Sequence, residues 1–188
     1  MDAQPDHTAT DHTASDPAAI ALDEMRWVLR RQQVLADGAL AQLERHDWHV
    51  LIDPDANSIA VIVRHVAGNM RSRWTDFLTS DGEKEDRDRN GEFALRDDAP
   101  EDLRRAWDDA WRVTLAAVDA LAPADLARIV TIRGEPHTVA RAIARQIDHY
   151  GQHVGQIVLL AKHLRGAAWR TLSLPTPPRA APRAAPHE

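Results

Sequence analysis

The sequence predicts an all-α fold, four amphipathic helices packed as a four-helix bundle. Four segments repeat apolar residues at helical spacing. The stretches between them are polar or carry Pro and Gly. Only one short patch, Ile129-Val130-Thr131-Ile132, is rich enough in branched residues to favour a strand. At 188 residues the chain can bury the core of one domain.

The first helix is expected from about Ala18 to Arg45, on an imperfect stripe of Ile20, Met25, Trp27, Val28, Val34, Leu35, Leu40 and Leu43, with Pro17 suited to its first turn. Ser58 is a good N-cap for the second, which runs through Ile59, Ile62, Val63, Val66, Met70, Trp74 and Phe77 to about Thr79. A long polar loop, Asp81 to Phe93, separates it from the third, and loops of that length tend to carry function or to lack order. The third spans roughly Pro100 to Leu121. Pro100 and the acidic Glu101 and Asp102 favour its start, and Leu103, Trp107, Trp111, Leu115 and Val118 mark its inner face. The fourth follows Arg133-Gly134-Glu135-Pro136 and is expected from about His137 to Leu164, stopping near Gly166. The domain is thus 18–174. The segments 1–17 and 175–188 read as disordered tails, since their Pro, Asp, Thr and Ala content cannot repay the entropy of ordering; His7, His12 and His187 fall there and are given no role.

Composition removes several functions. The chain has no cysteine, so it has no disulfide framework, zinc ribbon or protein thiol nucleophile, and it suits a reducing cytoplasm. Its net charge is −6 and its arginines are interspersed with Asp and Glu, which argues against a phosphate-tracking surface and nucleic-acid partners. No apolar run approaches the ~20 residues of a membrane span, and the start shows no secretory pattern.

The chemistry rests on histidines. His149 and His153, four residues apart, share one face of the last helix one turn apart, a spacing at which two imidazoles can bind one metal ion. His65 interrupts the apolar pattern of the second helix, on a polar stripe with Ser58, Ile62, Asn69, Ser72 and Asp76. Three histidines from two packed helices would leave coordination positions open, as a catalytic site requires. His137 lies about 18 Å along the helix axis from His149, and His163 about 15 Å from His153, so neither can join the pair. A zincin motif is ruled out because Tyr150, not Glu, follows His149. A di-iron carboxylate site is ruled out because no Glu precedes a His by three residues. What remains is a mononuclear nitrogen site for Zn, Ni, Fe or Cu, set against the plainer reading of three ordinary core histidines. Gly68, Gly151 and Gly155 suggest close backbone approach near the histidines, either at a metal or at a helix seam.

Four strings carry a family resemblance: Ser58 to Met70; Arg73-Trp74-Thr75-Asp76-Phe77-Leu78-Thr79 with Asp81-Gly82-Glu83-Lys84; Ile132 to Val139; and His149-Tyr150 with His153 to Ile157. Over roughly residues 20–174 the chain resembles the DinB-like superfamily of metal-dependent four-helix bundles, particularly a subgroup of unknown function. The resemblance implies a DinB/YfiT-like, up-down-down-up bundle and usually a homodimer. It also implies a divalent metal held by His65, His149 and His153. Superfamily relatives include S-transferases and isomerases that use a low-molecular-weight thiol. One departure falls in the polar loop, where Glu85-Asp86 follow Gly82-Glu83-Lys84 and the subgroup tends to have Pro-Trp.

Two functions are therefore expected in competition. One is an enzyme acting on a small molecule with a metal and a small thiol cosubstrate. In it Asn69 and Gln146, each one turn from a histidine, would support the ligands or touch substrate, and Arg133, Glu135, Arg89 and Glu92 would read a polar substrate. The other is a metal-binding, stress-associated dimer without turnover.

Overall fold

The computed structural model describes residues 16–173. Of the expected tail 1–17 only Asp16 and Pro17 are described; Asp16 caps the first helix and Pro17 begins it. The segment 175–188 and His7, His12 and His187 lie outside the described residues.

Four long helices account for most of the described chain: α1 (Pro17–Leu40), α2 (Ile59–Trp74), α4 (Pro100–Asp119) and α5 (Val139–Arg165). A one-turn helix α3 (Arg89–Glu92) and a hairpin of β1 (Ile129–Ile132) and β2 (Glu135–Thr138) complete the fold. Helix α2 packs mainly on α4 and α1 on α5; contacts of α2 with α5 and of α1 with α4 close the set. The side chains they enclose include Leu22, Leu29, Val63, Met70, Trp74, Trp107, Trp111, Ile143, Tyr150 and Ile157. Trp107 and Trp111 meet edge-to-face with centroids 5.8 Å apart. Truncating either to alanine would cost about 3–5 kcal/mol. No helix among the described residues is long and apolar enough to cross a membrane.

Local chemistry sets the helix ends, and it corrects several expected boundaries. Asp16 caps α1, accepting from the Ala18 amide at 3.0 Å ahead of Pro17. Helix α1 stops at Leu40 rather than Arg45. The Gln42 and Leu43 amides turn back tightly onto the carbonyls of Ala39 and Leu40, and a separate 3-10 turn follows at Arg45–His49. Ser58 caps α2 as expected, accepting from the Val61 amide at 3.3 Å. Helix α2 ends at Trp74, not Thr79, because Thr75 is extended and Asp76 takes the left-handed region at φ 49°. The Thr79 and Ser80 amides then both donate to the Asp76 carbonyl.

The β-prone patch does form a strand. Ile129–Ile132 pairs antiparallel with Glu135–Thr138 across Arg133-Gly134, whose φ values of 55° and 75° are those of a tight two-residue hairpin turn. The hairpin takes His137 out of the last helix. It sits buried opposite Val130, and α5 begins at Val139, capped by Thr138 through the Arg141 amide at 3.1 Å. Gly166, at φ 51°, ends α5 as expected.

The polar loop is more ordered than its composition suggests. Asp88 caps α3, accepting from the Gly91 amide at 2.9 Å. The Asp81 carboxylate accepts from the amides of Glu83, Arg133 and Gly134 at 2.7, 2.9 and 2.9 Å, which ties the loop to the hairpin turn. Burial alone would raise the Asp81 carboxyl, but these three amides and the Arg73 charge outweigh it and hold its pKa below the usual value. Ser72 joins the same unit, donating to the Gly82 carbonyl and accepting from the Lys84 amide.

Candidate metal centre

Where α2 meets α5, three imidazoles converge. His149 Nε2 lies 3.2 Å from His65 Nε2 and 3.1 Å from His153 Nε2. One nitrogen from each of the three falls within 4.8 Å of the others. Two nitrogens each ~2.1 Å from one ion, at roughly tetrahedral or octahedral angles, stand about 3.0–3.4 Å apart. The two short separations fit that spacing.

The far side of the rings decides which nitrogens carry protons. His65 Nδ1 faces the Glu92 carboxylate at 2.9 Å, and His153 Nδ1 faces Gln156 Oε1 at 2.9 Å. Both partners are acceptors, so each Nδ1 holds the hydrogen, and a neutral ring then presents a bare lone pair at Nε2. His149 Nε2 meets both lone pairs and can hold only one proton, so at most one of its two contacts is a hydrogen bond. Two bare lone pairs and a third imidazole nitrogen meeting at one point are what a cation needs and what a hydrogen-bonded core histidine avoids. Burial first, then His153 and His65, push the His149 pKa down to about 4. Burial lowers His153 as well. His149 and His153 are therefore neutral near pH 7, as metal ligation requires.

Glu92 is anchored in turn. Arg87 donates to its two carboxylate oxygens from Nε and Nη2, both at 2.8 Å, and also reaches Glu83 at 3.1 Å. Burial would raise Glu92, but the hydrogen bonds from His65 and Arg87 and the Arg87 charge hold it below the usual range. A carboxylate on the distal nitrogen of a ligating histidine fixes ring and tautomer. Gly68 makes this possible, since a Cβ there would collide with Glu92 Oε1. Phe93, whose ring centroid is 4.5 Å from that of His65, covers the imidazole from the loop side. The other two glycines behave differently: a Cβ on Gly151 would come within 3.1 Å of Gln32 on α1, a seam contact, and one on Gly155 would meet nothing.

A cavity of about 470 Å³ opens beside the histidines. Asn69, Gln146, Arg133, Glu135 and Arg89 are on its wall, with His65 and His149. Glu92 is not; it pairs with His65 Nδ1 and lines a second cavity, of about 640 Å³, with Arg64, Gly68, Ser72 and Lys84. Asn69 Oδ1 accepts from the Tyr150 hydroxyl at 3.2 Å, and that hydroxyl accepts from Trp74 Nε1 at 3.0 Å. Arg133 is exposed and reaches Glu83 at 3.3 Å, and the Arg89 guanidinium lies 5.6 Å from the Phe93 ring centre. His137 and His163 stand apart from the three-histidine group.

Sequence reasoning missed Arg87, Arg73, Arg145 and Tyr150. Arg73 could have been found, one turn beyond Asn69 on α2, and so could Arg145, next to Gln146. Arg87 and Glu92 meet through a loop fold that no periodicity displays.

No curated protein matches the chain. A family model described as a protein of unknown function, DUF1572, matches residues 16–178 and so spans all three histidines, the loop and the hairpin. The chain therefore belongs to the DUF1572 family.

Proposed function

We propose that this protein is a metal-dependent enzyme of the DinB-like superfamily, its four long helices forming the up-down-down-up bundle of that group. In this reading His65, His149 and His153 hold one divalent ion (Zn, Ni or Fe), and a small thiol is the cosubstrate for S-transfer or isomerisation of a small molecule. The observation that carries it is the convergence of three Nε2 atoms, two of which are left bare because Glu92 and Gln156 hold the opposite nitrogens. An ion with open positions would supply Lewis acidity and lower the pKa of a thiol or water near neutral pH. The chain has no cysteine, so a nucleophilic sulfur must come from outside.

The residues divide the work. Glu92 holds the His65 proton and keeps the ring aimed, Arg87 keeps Glu92 ionised, and Tyr150 fixes the Asn69 amide on the cavity wall. Arg133, Arg89 and Glu135 stand at the cavity as substrate contacts. Ile20, Trp27 and Val34, exposed at seven-residue intervals on α1, with the exposed Leu159 on α5, suit the interface of a homodimer. The reading places the protein in the cytoplasm, where small thiols stay reduced.

A metal-binding dimer without turnover is the second reading. It is favoured by one observation: Glu83 and Glu92 are both engaged by arginines, which leaves neither free as a base. The test is a panel of small thiols, mycothiol and bacillithiol included, against model electrophiles. Metal-loaded protein should consume thiol faster than metal-free protein, and the rate should fall with metal content in histidine variants. Metal binding with no thiol consumed would reject the enzyme in favour of the dimer.

A further inference from the structure

Five arginines, Arg73, Arg87, Arg89, Arg133 and Arg145, line the cavity beside the histidines, against the carboxylates of Glu135 and Asp148. Their pairing is uneven. Arg87 is saturated by Glu92 and Glu83. Glu83 also serves Arg133, and its oxygen lies 3.8 Å from Arg73 Nη2, beyond hydrogen-bond reach. Arg73 is 4 % exposed, and its Nε and Nη1 have no acceptor. Arg145 forms no ion pair among the described residues; its polar contact is His137 Nε2 at 3.3 Å. Two guanidiniums thus face one cavity without a carboxylate at bonding distance.

Arg73 is also held in place. A Cβ on Gly82 would come within 2.7 Å of Arg73 Nη1, so the loop backbone closes directly over the guanidinium. The Gly82 amide is fixed by the Thr131 carbonyl at 2.8 Å. Burial pushes the Arg73 pKa below its usual value, yet a guanidinium stays charged. A buried, fixed cation with spare donors is an unfilled half of a charge-assisted hydrogen-bond pair. Gln146, 4 % exposed, adds an acceptor, Oε1, that has no donor.

We infer that Arg73 and Arg145 form an oxyanion subsite that holds the carboxylate or phosphate of a small organic substrate next to the three histidines. A hydroxyl or N–H of the same molecule would donate to Gln146 Oε1, and its reacting part would point toward His149. That the anion is a substrate rests on the reading of the histidines as the reactive centre; that it binds does not.

The test is calorimetric titration of the full-length protein with succinate and, separately, inorganic phosphate, with and without added zinc. Binding is expected in both metal states, and the tighter of the two probes identifies the anion as carboxylate or phosphate. Arg73→Met and Arg145→Ala should each weaken it about tenfold. Arg145 is exposed, so its variant tests the subsite even if Arg73→Met fails to fold. His149→Ala should lose metal and keep the anion, which separates failure of the metal reading from failure of this one. Absence of binding at millimolar probe, or unchanged affinity in Arg145→Ala, would overturn the subsite. Binding that requires zinc and vanishes in His149→Ala would overturn it too, since the ion would then be the anion's partner.

Discussion

Replacing Gly68 by alanine sets two effects of opposite sign against each other. In a helix interior alanine is favoured over glycine by about 1 kcal/mol, so helix propensity alone makes the variant more stable. The new Cβ would, however, occupy the place of Glu92 Oε1. Glu92 would have to withdraw from His65 Nδ1 and shift its bonds with Arg87. Losing a buried hydrogen bond to a charged group costs about 1.5–3 kcal/mol, so the net result is a loss of roughly 0.5–2 kcal/mol, a few degrees in Tm for a domain of this size. Metal affinity should respond more strongly. Removing the carboxylate partner of a ligating histidine typically weakens binding about 10–100-fold. Calorimetry reads the first effect and zinc titration against a competing chelator the second. Gly155→Ala is the internal control, because a Cβ there meets nothing; it should gain stability and leave metal affinity unchanged. A Gly68→Ala protein that is more stable and binds zinc as tightly as the parent would refute the role assigned to Glu92.

Asp81→Ala removes the acceptor for three amides and should cost about 1–3 kcal/mol, read from urea midpoints. Because the folded Asp81 pKa lies below its unfolded value near 3.8, its contribution is fully present above that pH and is lost as the pH falls through the lower folded pKa, so parent and variant midpoints should converge in acid. Trp27, 60 % exposed on α1, should be a contact in the proposed dimer. Trp27→Arg is expected to shift the light-scattering mass toward the monomer without changing metal content. Tyr150→Phe leaves Trp74 Nε1 and Asn69 Oδ1 without their shared hydroxyl and should destabilise by about 1–3 kcal/mol, with a change of less than 0.5 kcal/mol arguing against the buried relay.

The helices were legible because each carries its own periodic apolar face. The Ser58 cap and the Gly166 stop are local signals that nothing distant overrides. Helix ends set by long-range context were not. Nothing in Thr75-Asp76 announces a left-handed residue, and the pairing of Ile129–Ile132 with Glu135–Thr138, which pulls His137 off α5, depends on a partner strand that is hardly apolar. The histidine group was legible for a geometric reason, since a spacing of four fixes His149 and His153 on one face whatever else the chain does. The surroundings of the site were less so. Glu92 was expected as a substrate contact; its pairing with His65 was not foreseen, and Arg87 binds it through a loop with no repeat to read. Arg73 could be placed one turn beyond Asn69, but arginine on a helix is ordinarily solvated, and nothing in the sequence announces its burial.

Everything proposed for the histidines requires one ion at His65, His149 and His153. Metal analysis of the purified protein, followed by zinc titration after chelator treatment, tests it most directly, alongside His149→Ala and the distant His163→Ala. One equivalent per chain in the parent and in His163→Ala, with sharply reduced occupancy in His149→Ala, is the predicted result. Full occupancy in His149→Ala, or no ion retained by a folded parent at micromolar zinc, would contradict it.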